Sequence, residues 1–447
     1  MVEPMDEIKC IPVDAVTLKA HQQTRSLNAH RKLCHAPFQN MYFGRDGKVL
    51  ACCYNREEAM GRWPEQTIAE IWSSAQAEAL RQAIGEDSLA SGCYYCHQIL
   101  DAGNFFNMPA RHFDKYADPP IASLSKQMWQ LFTQRVSLGE LRHRLRSGGA
   151  FYSRKIREIF EGRQPGMPLG RIIRQEAGQL AARARARHKP QVANSFPRGM
   201  EFELSNTCNL ECVMCTGEFS SSIRKNREGL APYPELYGLE FAQQLEAFIP
   251  YLWQAKFYGG EPFLVPIYFE IWERMARLNP HLSAHITTNG TVFNNKVRDV
   301  LEKVRTHLIV SIDSFHKETY ESIRQNARFE RVMESIDYYA GVNHRQHSEL
   351  SIAICPMILN YMEMPEMVAA CNRRGFNVFF NTVWFPEELS LRKLPAEELE
   401  KAIRYYEAHY PTGEGLLAKR NLEAFDGLLN QLKNWHSHAL ERTQTSS

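Results

Sequence analysis

Residues 205–215 read SNTCNLECVMC and place three thiols, those of Cys208, Cys212 and Cys215, within eight residues. A cubic iron–sulfur cluster has four irons, and each iron normally takes one protein thiolate. The next cysteine downstream is Cys355, so this segment supplies three ligands and leaves one iron without a protein ligand. Such an iron can bind a small molecule, much as a catalytic zinc ion keeps one position for its substrate. A structural zinc or iron knuckle is the alternative, but three ligands would leave it incomplete.

The composition of the chain limits its class. A chain of 447 residues is too long for one ordinary core, so we expect two or three domains. The 44% of apolar and 23% of charged residues are typical of a soluble globular protein. We find no apolar run typical of a secretory signal and no stretch as long as a membrane span. These features predict a cytoplasmic protein without a membrane partner, whose 11 cysteines act as metal ligands or catalysts rather than as disulfides.

A small β-hairpin module followed by a helix is predicted over 34–100. Asp46-Gly47 is a hairpin turn signal within FQNMYFGRDGKVLACC, between two β-prone runs. The following TIAEIWSSAQAEALRQAIG is typical of one helix, because Thr67 and Glu70 form a capping-box pattern at its start. Thiols flank the hairpin and follow the helix: Cys34, Cys52, Cys53, Cys93 and Cys96.

A strongly basic segment lies at 125–189, with 15 Lys and Arg against four acidic residues and a net charge of +11. The whole chain carries +2, so the remainder carries −9. We interpret the segment as short, solvent-exposed helices broken by glycines. A basic lobe of this kind would attract an acidic partner, with an acidic leader region of a peptide as our first choice. The alternative is that the segment packs on the protein's own acidic surface.

Strand and helix patterns alternate from residue 199 onward. The strand-like segments are MEFELS, AKFYGG, SAHITTNG, HLIVSIDS, ELSIAICPM and FNVFFNTVW, with helical stretches between them. Six strands separated by helices indicate parallel βα units and an α/β fold. Chemistry in such folds lies at the carboxyl ends of the strands, and the three thiols come directly after the first strand.

The Cys-x3-Cys-x2-Cys spacing after a first strand resembles that of radical S-adenosylmethionine (radical SAM) enzymes, over about 199–390. The resemblance implies an incomplete (β/α)6 TIM-like barrel and a [4Fe–4S] cluster on Cys208, Cys212 and Cys215 as the catalytic residues. S-adenosylmethionine would be the ligand of the fourth iron. In that family one electron cleaves S-adenosylmethionine, and the resulting 5′-deoxyadenosyl radical abstracts a hydrogen atom from the substrate.

Other segments resemble the family's cosubstrate pocket. In the family, the GGEP motif after the second strand hydrogen-bonds the methionine amino group, and residues ending strand four contact the ribose. Arg324 resembles an arginine that pairs with the methionine carboxylate, with a surface helix arginine as the equal alternative. The resemblance therefore implies these cofactor-binding residues: Gly259, Gly260, Glu261, Pro262, Thr288, Asn289, Ser311, Asp313 and Arg324.

The amino-terminal cysteines resemble those of the twitch half of SPASM domains, which hold an auxiliary [4Fe–4S] cluster. The resemblance implies Cys34, Cys52, Cys93 and Cys96 as ligands, with Cys53 as the alternative to Cys52 and zinc as the alternative metal. In most relatives this module follows the barrel, whereas here it precedes the barrel. Cys355, at the end of the fifth strand, either packs inertly or returns a hydrogen atom to a substrate radical.

The expected function rests on this resemblance. SPASM and twitch enzymes often process peptides, which implies modification of a peptide or protein, with a reducing partner such as flavodoxin or ferredoxin. Two alternatives stay open: radical SAM modification of a nucleic acid, nucleotide or other small molecule, and a non-catalytic iron–sulfur or electron-carrier protein. A nucleic-acid partner is less favoured, because the aromatic residues of the basic segment lie mostly at core-like spacings.

The expected domain boundaries follow the motifs. They are an amino-terminal extension over 1–33, the twitch-like module over 34–100, a basic helical insert and linker over 101–196, the radical SAM core barrel over 197–390, and a carboxyl-terminal helical segment over 391–447.

Overall fold

A computed structural model of the chain describes residues 10–25, 29, 32–101, 105, 108–117, 196–346 and 348–445. The basic segment at 125–189 lies outside the described residues. By packing, the chain divides into two compact units. Unit 1 comprises Met1–Leu204, Leu236–Lys256 and Arg274–Leu282, and unit 2 comprises Ser205–Glu235, Phe257–Glu273 and Ser283–Ser447.

The strands in chain order are β1 (Cys10–Pro12), β2 (Asn40–Gly44), β3 (Lys48–Leu50), β4 (Gly61–Arg62), β5 (Ser88–Ala90), β6 (Gly199–Glu203), β7 (Gln254–Phe257), β8 (Ser283–Thr288), β9 (Thr306–Ser311), β10 (Leu350–Ile354) and β11 (Asn377–Phe380). The helices are α1 (Ala15–Gln23), α2 (Ala36–Gln39), α3 (Ile68–Trp72), α4 (Ala75–Gly85), α5 (Tyr94–Asp101), α6 (Ser221–Asn226), α7 (Leu239–Leu245), α8 (Pro266–Leu278), α9 (Asn295–Lys303), α10 (Lys317–Ile323), α11 (Phe329–Gln346), α12 (Met364–Arg374), α13 (Ala396–Ala408) and α14 (Gly415–Thr445).

The hairpin predicted in unit 1 is confirmed by the antiparallel pairing of β2 with β3. Its turn contains Gly47 at a φ of +84°, a conformation that glycine adopts without steric cost. The Asp46 side chain accepts a hydrogen bond from the backbone N–H of Lys48 at 3.1 Å, which stabilises the turn. Strand β4 then pairs antiparallel with β3 and extends the sheet.

The hairpin also pairs with the strand that precedes the three thiols of residues 205–215. β2 runs parallel to β6, in a register that places Asn40 beside Gly199 and Gly44 beside Glu203. The two aromatic rings of Phe43 and Phe202 stack with centroids 5.5 Å apart. Unit 1 therefore contains four neighbouring strands in the order β6-β2-β3-β4, an arrangement that the sequence did not predict.

The prediction of a single helix after the hairpin is wrong. The capping box of Thr67 and Glu70 is present and begins α3, but α3 ends at Trp72. Ser74 then accepts a hydrogen bond from the N–H of Ala77 and begins α4 as a new N-cap. A serine side chain can replace the missing intrahelical bonds at a helix start, so the Ser73–Ser74 pair divides the stretch into two helices.

Unit 2 contains parallel strands. β8 pairs with β9, β9 with β10, and β10 with β11, all in parallel. Helices α9 to α12 lie between these strands in the chain. Residues of β8 and β9 alternate between buried and partly exposed, which is the two-residue period of a strand with one face against the core. The α/β fold predicted for an incomplete (β/α)6 core is confirmed.

Two carboxyl-terminal helices complete unit 2, as the helical character of 391–447 predicted. The rings of Tyr406 on α13 and Phe425 on α14 stack with centroids 5.2 Å apart. Asn421 on α14 accepts a hydrogen bond from the N–H of Val378 on β11 at 2.8 Å. In the described part of the chain we find no helix with the length and apolar character needed to cross a membrane.

Candidate active site and auxiliary thiol cavity

The loop that carries Cys208, Cys212 and Cys215 is closed by its own polar groups. Asn206 donates from its side chain to the carbonyl oxygen of Gly217 at 2.9 Å, and Ser220 donates to that of Leu210 at 2.7 Å. These bonds join the start and the end of the loop across the three thiols. The loop backbone is thereby fixed while it presents three sulfur atoms.

Burial changes the acidity of these thiols. It raises the pKa of Cys208 to about 11 and, together with the neighbouring thiols, that of Cys215 to about 12. Burial also raises the pKa of Cys212, although the positive charge of Arg324 opposes it. Without a metal the thiols thus keep their protons at neutral pH, and metal binding has to displace them.

The GGEP segment lies directly against this loop. Gly259 and Gly260 have φ values of +87° and +56°. A Cβ atom at Gly260 would lie 2.2 Å from the carbonyl oxygen of Thr207, so a side chain has no room there. The N–H of Glu261 donates to that same oxygen at 2.7 Å, and Pro262 begins the 3-10 turn Pro262–Leu264. The structure therefore brings together Gly259, Gly260, Glu261 and Pro262 with the loop that carries the thiols.

The carboxylate of Glu261 is fully buried and already engaged within the protein. It accepts hydrogen bonds from the hydroxyl of Thr288 at 2.8 Å and from the N–H groups of Asn289 at 2.7 Å and Phe263 at 3.1 Å. Burial raises its pKa to about 7 despite these donors. Glu261 therefore links the segment after β7 to the end of β8.

Asn289 connects the end of β8 to the thiol loop. Its amide nitrogen lies 3.1 Å from the side-chain oxygen of Asn209 and 3.9 Å from the sulfur of Cys208. Its amide oxygen accepts a hydrogen bond from the N–H of Thr291 at 2.9 Å. Asn289 thus contacts the thiol loop directly at Cys208, whereas Thr288 is connected to that loop through Glu261.

Ser311 and Asp313 follow β9 but have different environments. Ser311 is partly exposed at the end of the strand, beside Ala353 of β10. Asp313 is fully buried, and its Oδ2 atom lies 2.8 Å from the Nε atom of Arg324. Its Oδ1 atom accepts a hydrogen bond from the N–H of Cys355 at 2.8 Å. Asp313 is thus engaged with protein groups on both oxygens.

Arg324 is buried, so the alternative of a surface helix arginine is wrong. Its Nη1 atom lies 3.8 Å from the Sγ atom of Cys212. Sequence reasoning did not find this contact or the pairing with Asp313. Arg324 is separated from Cys212 by 112 positions and from Asp313 by 11 positions (324 − 313), and neither separation gives a local sequence signal.

A second group of thiols lines a cavity in unit 1: Cys34, Cys52, Cys93 and Cys96. The other lining residues are mainly apolar: Ala36, Pro37, Ala51, Tyr54, Asn55, Leu80, Ile84, Leu89, Met108, Pro109, Ala110 and Phe113. Two of the sulfur atoms contact hydrogen-bond donors. The backbone nitrogen of Ala36 lies 3.4 Å from the Sγ atom of Cys34, and the side-chain amide nitrogen of Asn55 lies 3.5 Å from the Sγ atom of Cys93. In number, four thiols match both the one thiolate per iron of a [4Fe–4S] cluster and the ligand count of a four-cysteine zinc site.

Cys52 and Cys53 differ in position. Cys52 lines the cavity, and burial together with the nearby Cys34 thiol raises its pKa to about 12. Cys53 is not among the residues that line the cavity, and burial together with the Glu201 carboxylate raises its pKa.

Among the described residues no three His, Cys, Asp or Glu side chains are close enough together to surround a single metal ion.

Family models match both thiol-bearing regions. The model described as the radical SAM superfamily matches residues 202–371. The SPASM model, described as an iron–sulfur cluster-binding domain, matches residues 34–97. The chain therefore contains a radical SAM domain. In this radical SAM protein the SPASM domain precedes the radical SAM domain, as the sequence predicted. These two domains imply a [4Fe–4S] cluster with S-adenosylmethionine and an auxiliary iron–sulfur cluster as cofactors, and the radical SAM domain supports an enzymatic function.

Several curated proteins resemble this radical SAM protein over part of its length. A probable GTP 3′,8-cyclase of Methanocella arvoryzae is 27% identical over 167 residues, which are 36% of this chain and 46% of the relative. GTP 3′,8-cyclases of Clostridium botulinum and Rippkaea orientalis are 21% and 28% identical over 223 and 216 residues. These matches cover 50% and 46% of this chain and 63% of each relative. The chain thus spans less than two thirds of each of these relatives.

Two solved structures show a distant likeness. One is Streptococcus suis SuiB bound to precursor peptide SuiA, with a TM-score of 0.35, 16% identity, and coverage of 55% of this chain and 52% of that chain. The other is anSMEcpe with bound AdoMet, with a TM-score of 0.36, 16% identity, and coverage of 47% and 60%.

Proposed function

We propose that Cys208, Cys212 and Cys215 hold the catalytic [4Fe–4S] cluster and that the chain modifies a peptide or protein by hydrogen abstraction. The observation that carries the proposal is the seating of the GGEP segment on the thiol loop through the Thr207 carbonyl oxygen. When bound, the cluster and S-adenosylmethionine supply the 5′-deoxyadenosyl radical. The residues of the chain bind and orient the cosubstrate, position the substrate carbon and exclude water.

Roles for the cosubstrate residues follow from their contacts. The backbone of Gly259 and Gly260 is exposed to close approach because neither residue has a side chain. Glu261 fixes this backbone against Thr288 and Asn289, while Pro262 turns the chain away. Ser311 is the proposed ribose contact, and Asp313 holds Arg324 for the methionine carboxylate. In this proposal Glu261 and Asp313 act mainly by positioning their neighbours.

The proposed ligands of the auxiliary [4Fe–4S] cluster are the four cavity-lining cysteines, Cys34, Cys52, Cys93 and Cys96. The mainly apolar wall excludes water, which strengthens electrostatic interactions of a charged cluster with its surroundings. We place the protein in the cytoplasm, where a flavodoxin or ferredoxin would provide electrons.

Support for a peptide or protein substrate comes from an apolar rim in unit 2, which we define as Ile358, Leu359, Met362, Trp384 and Phe385. These exposed residues follow β10 and β11, the ends of the sheet where chemistry is expected. Met357 and Val383 directly precede Ile358 and Trp384 in the chain and are buried in one cluster. Val213 and Met214 of the thiol loop are partly buried and pack against that cluster. Exposed apolar side chains of this kind suit contact with a polypeptide.

Nucleotide modification is the second candidate. The curated relatives named GTP 3′,8-cyclase favour it by their names alone, at 27% and 28% identity over less than half of this chain. A nucleotide carries phosphates, which proteins usually hold with Arg and Lys side chains. The five rim side chains carry no charge, although the Arg392 guanidinium lies 4.3 Å from the centroid of the Trp384 ring.

The experiment that tests the proposal follows the abstracted hydrogen. The reconstituted protein is reduced with S-adenosylmethionine and incubated with the peptide or the nucleotide fraction of cells grown in deuterated medium. Deuterium in 5′-deoxyadenosine with the peptide fraction supports a peptide substrate. Deuterium with the nucleotide fraction alone contradicts it, and a complete lack of S-adenosylmethionine cleavage contradicts the radical SAM assignment of the three thiols.

A further inference from the structure

Cys212 and Arg324 are held face to face by the backbone. The N–H of Glu211 donates to the carbonyl oxygen of Gln325 at 3.1 Å, and the N–H of Val213 donates to that of Ile323 at 2.9 Å. These two bonds lie on either side of Cys212 and on either side of Arg324. The contact between their side chains is therefore set by the fold.

The guanidinium is fixed and its charge is balanced. Its Nε atom lies 2.8 Å from Asp313, and the two side chains are 8% and 0% exposed. Asp313 is itself fixed, since it accepts from the N–H of Cys355 and its carbonyl oxygen accepts from the Asn360 amide at 2.8 Å. An ion pair with these additional hydrogen bonds meets the conditions under which burial of two charges is tolerated.

The three thiols differ in their surroundings. The sulfur of Cys208 contacts two neutral donors, the N–H of Leu210 at 3.5 Å and the Asn289 amide at 3.9 Å. The sulfur of Cys215 lies 3.7 Å from the carbonyl oxygen of Thr216. Cys212 is approached by the cationic Nη1 group of Arg324 at 3.8 Å. A charge-assisted donor is about twice as strong as a neutral one.

We propose that Arg324, anchored by Asp313, is a positioning residue that raises the reduction potential of the cluster on Cys208, Cys212 and Cys215 by donating to the Cys212 thiolate. This inference rests on the proposed function. Reduction adds one negative charge to the cluster, and a fixed cation beside one of its thiolates stabilises the reduced form. Hydrogen bonds to the sulfurs, net charge and solvent exposure are what set the potentials of iron–sulfur clusters. A guanidinium has five N–H donors, so this role is compatible with pairing to the methionine carboxylate.

The test is a redox titration of the reconstituted full chain, followed by electron paramagnetic resonance. The signal that changes on addition of S-adenosylmethionine identifies the cluster with the open iron and separates it from the auxiliary cluster. In Arg324→Gln we expect one-electron reduction of that cluster to become about tenfold less favourable, which is a potential lower by about 59 mV. Arg345→Gln is the matched control, because Arg345 forms an exposed ion pair with Glu302, and its potential should equal that of the wild type.

Arg324→Gln leaves Asp313 as an unpaired buried carboxylate and can therefore unfold the protein. A second variant keeps the inference testable in that case. The double variant Asp313→Asn/Arg324→Gln removes both charges and keeps the local net charge unchanged. It should still show the lowered potential, because Cys212 has lost its cationic donor. A wild-type potential in the double variant, with the S-adenosylmethionine-sensitive signal present, overturns the inference alone. Absence of that signal in the wild-type protein overturns the proposed function and this inference together.

Discussion

The α-carbon of Gly260 approaches the carbonyl oxygen of Thr207 so closely that a Cβ atom at residue 260 would lie 2.2 Å from that oxygen. The close approach joins the GGEP segment to the start of the loop that carries Cys208, Cys212 and Cys215. It therefore couples these two segments through backbone atoms, which no side-chain rotation can relieve.

Gly260→Ala should therefore displace the thiol loop. Gly375→Ala is the matched control, because Gly375 has a similar φ of +72° but no atom within 4 Å of its Cβ position. The control should lose about 1–2 kcal/mol of unfolding free energy, the cost of a left-handed backbone. Gly260→Ala should lose more and retain less iron on Cys208, Cys212 and Cys215. Chemical unfolding and iron analysis measure both effects, and equal behaviour of the two variants would contradict the coupling.

The pair Cys52 and Cys53 provides a test of the auxiliary site with its own control. Cys52→Ala should reduce the iron of the auxiliary cluster, because Cys52 lines the thiol cavity. Cys53→Ala should keep wild-type iron and sulfide. The reverse result would move the ligand role to Cys53, and zinc in the purified auxiliary site would replace the electron-transfer role with a structural one.

Glu261 should make stability depend on pH. Burial raises its pKa from 4.5 to about 7, so between these values the folded state binds more protons than the unfolded state. The unfolding free energy should therefore fall as pH rises through this window, by at most about 1.4 kcal/mol per pH unit. Glu261→Gln should flatten this slope, while Glu302→Gln, at a side chain that is 57% exposed, should not. Anaerobic chemical unfolding at pH 5.5 and 7.5 measures the slopes. An unchanged slope in Glu261→Gln would contradict the raised pKa of Glu261 as the source of the pH dependence.

The acidic-partner prediction concerns the basic segment, which lies outside the described residues. Reversing the charges of Arg142, Arg144 and Arg146 should slow substrate capture and flatten its dependence on salt, because steering acts through long-range attraction. Cleavage of S-adenosylmethionine without substrate should not change. If the variant instead loses stability and captures substrate at the normal rate, the segment packs on the protein itself.

Local features of the fold could be predicted from the sequence because their signals are local. The side chain of Asp46 and the conformational freedom of Gly47 are sufficient to form their turn, and the side chains of Thr67 and Glu70 are sufficient to form a capping box. The division of the helix at Ser74 shows the limit of this reasoning. A serine within a helical pattern is tolerated or becomes a cap, and the choice depends on packing. Here the Ser74 hydroxyl donates to the carbonyl oxygen of Met60 at 2.6 Å.

Contacts between distant parts of the chain could not be predicted in the same way. The register of β2 against β6 joins Asn40 to Gly199, and neither strand carries a signal for its neighbour. The ion pair of Asp313 with Arg324 and the approach to Cys212 likewise depend on three separate segments. The sequence motifs located the thiols because the Cys-x3-Cys-x2-Cys spacing lies within one loop.

We propose that the three thiols of one loop hold the cluster at which S-adenosylmethionine is cleaved. The most direct measurement is formation of 5′-deoxyadenosine, together with iron and sulfide content, in the triple variant Cys208→Ala/Cys212→Ala/Cys215→Ala. We predict no 5′-deoxyadenosine and about four irons and four sulfides per chain, the content of one remaining cubic cluster. Cleavage of S-adenosylmethionine by the triple variant at the wild-type rate would contradict the claim.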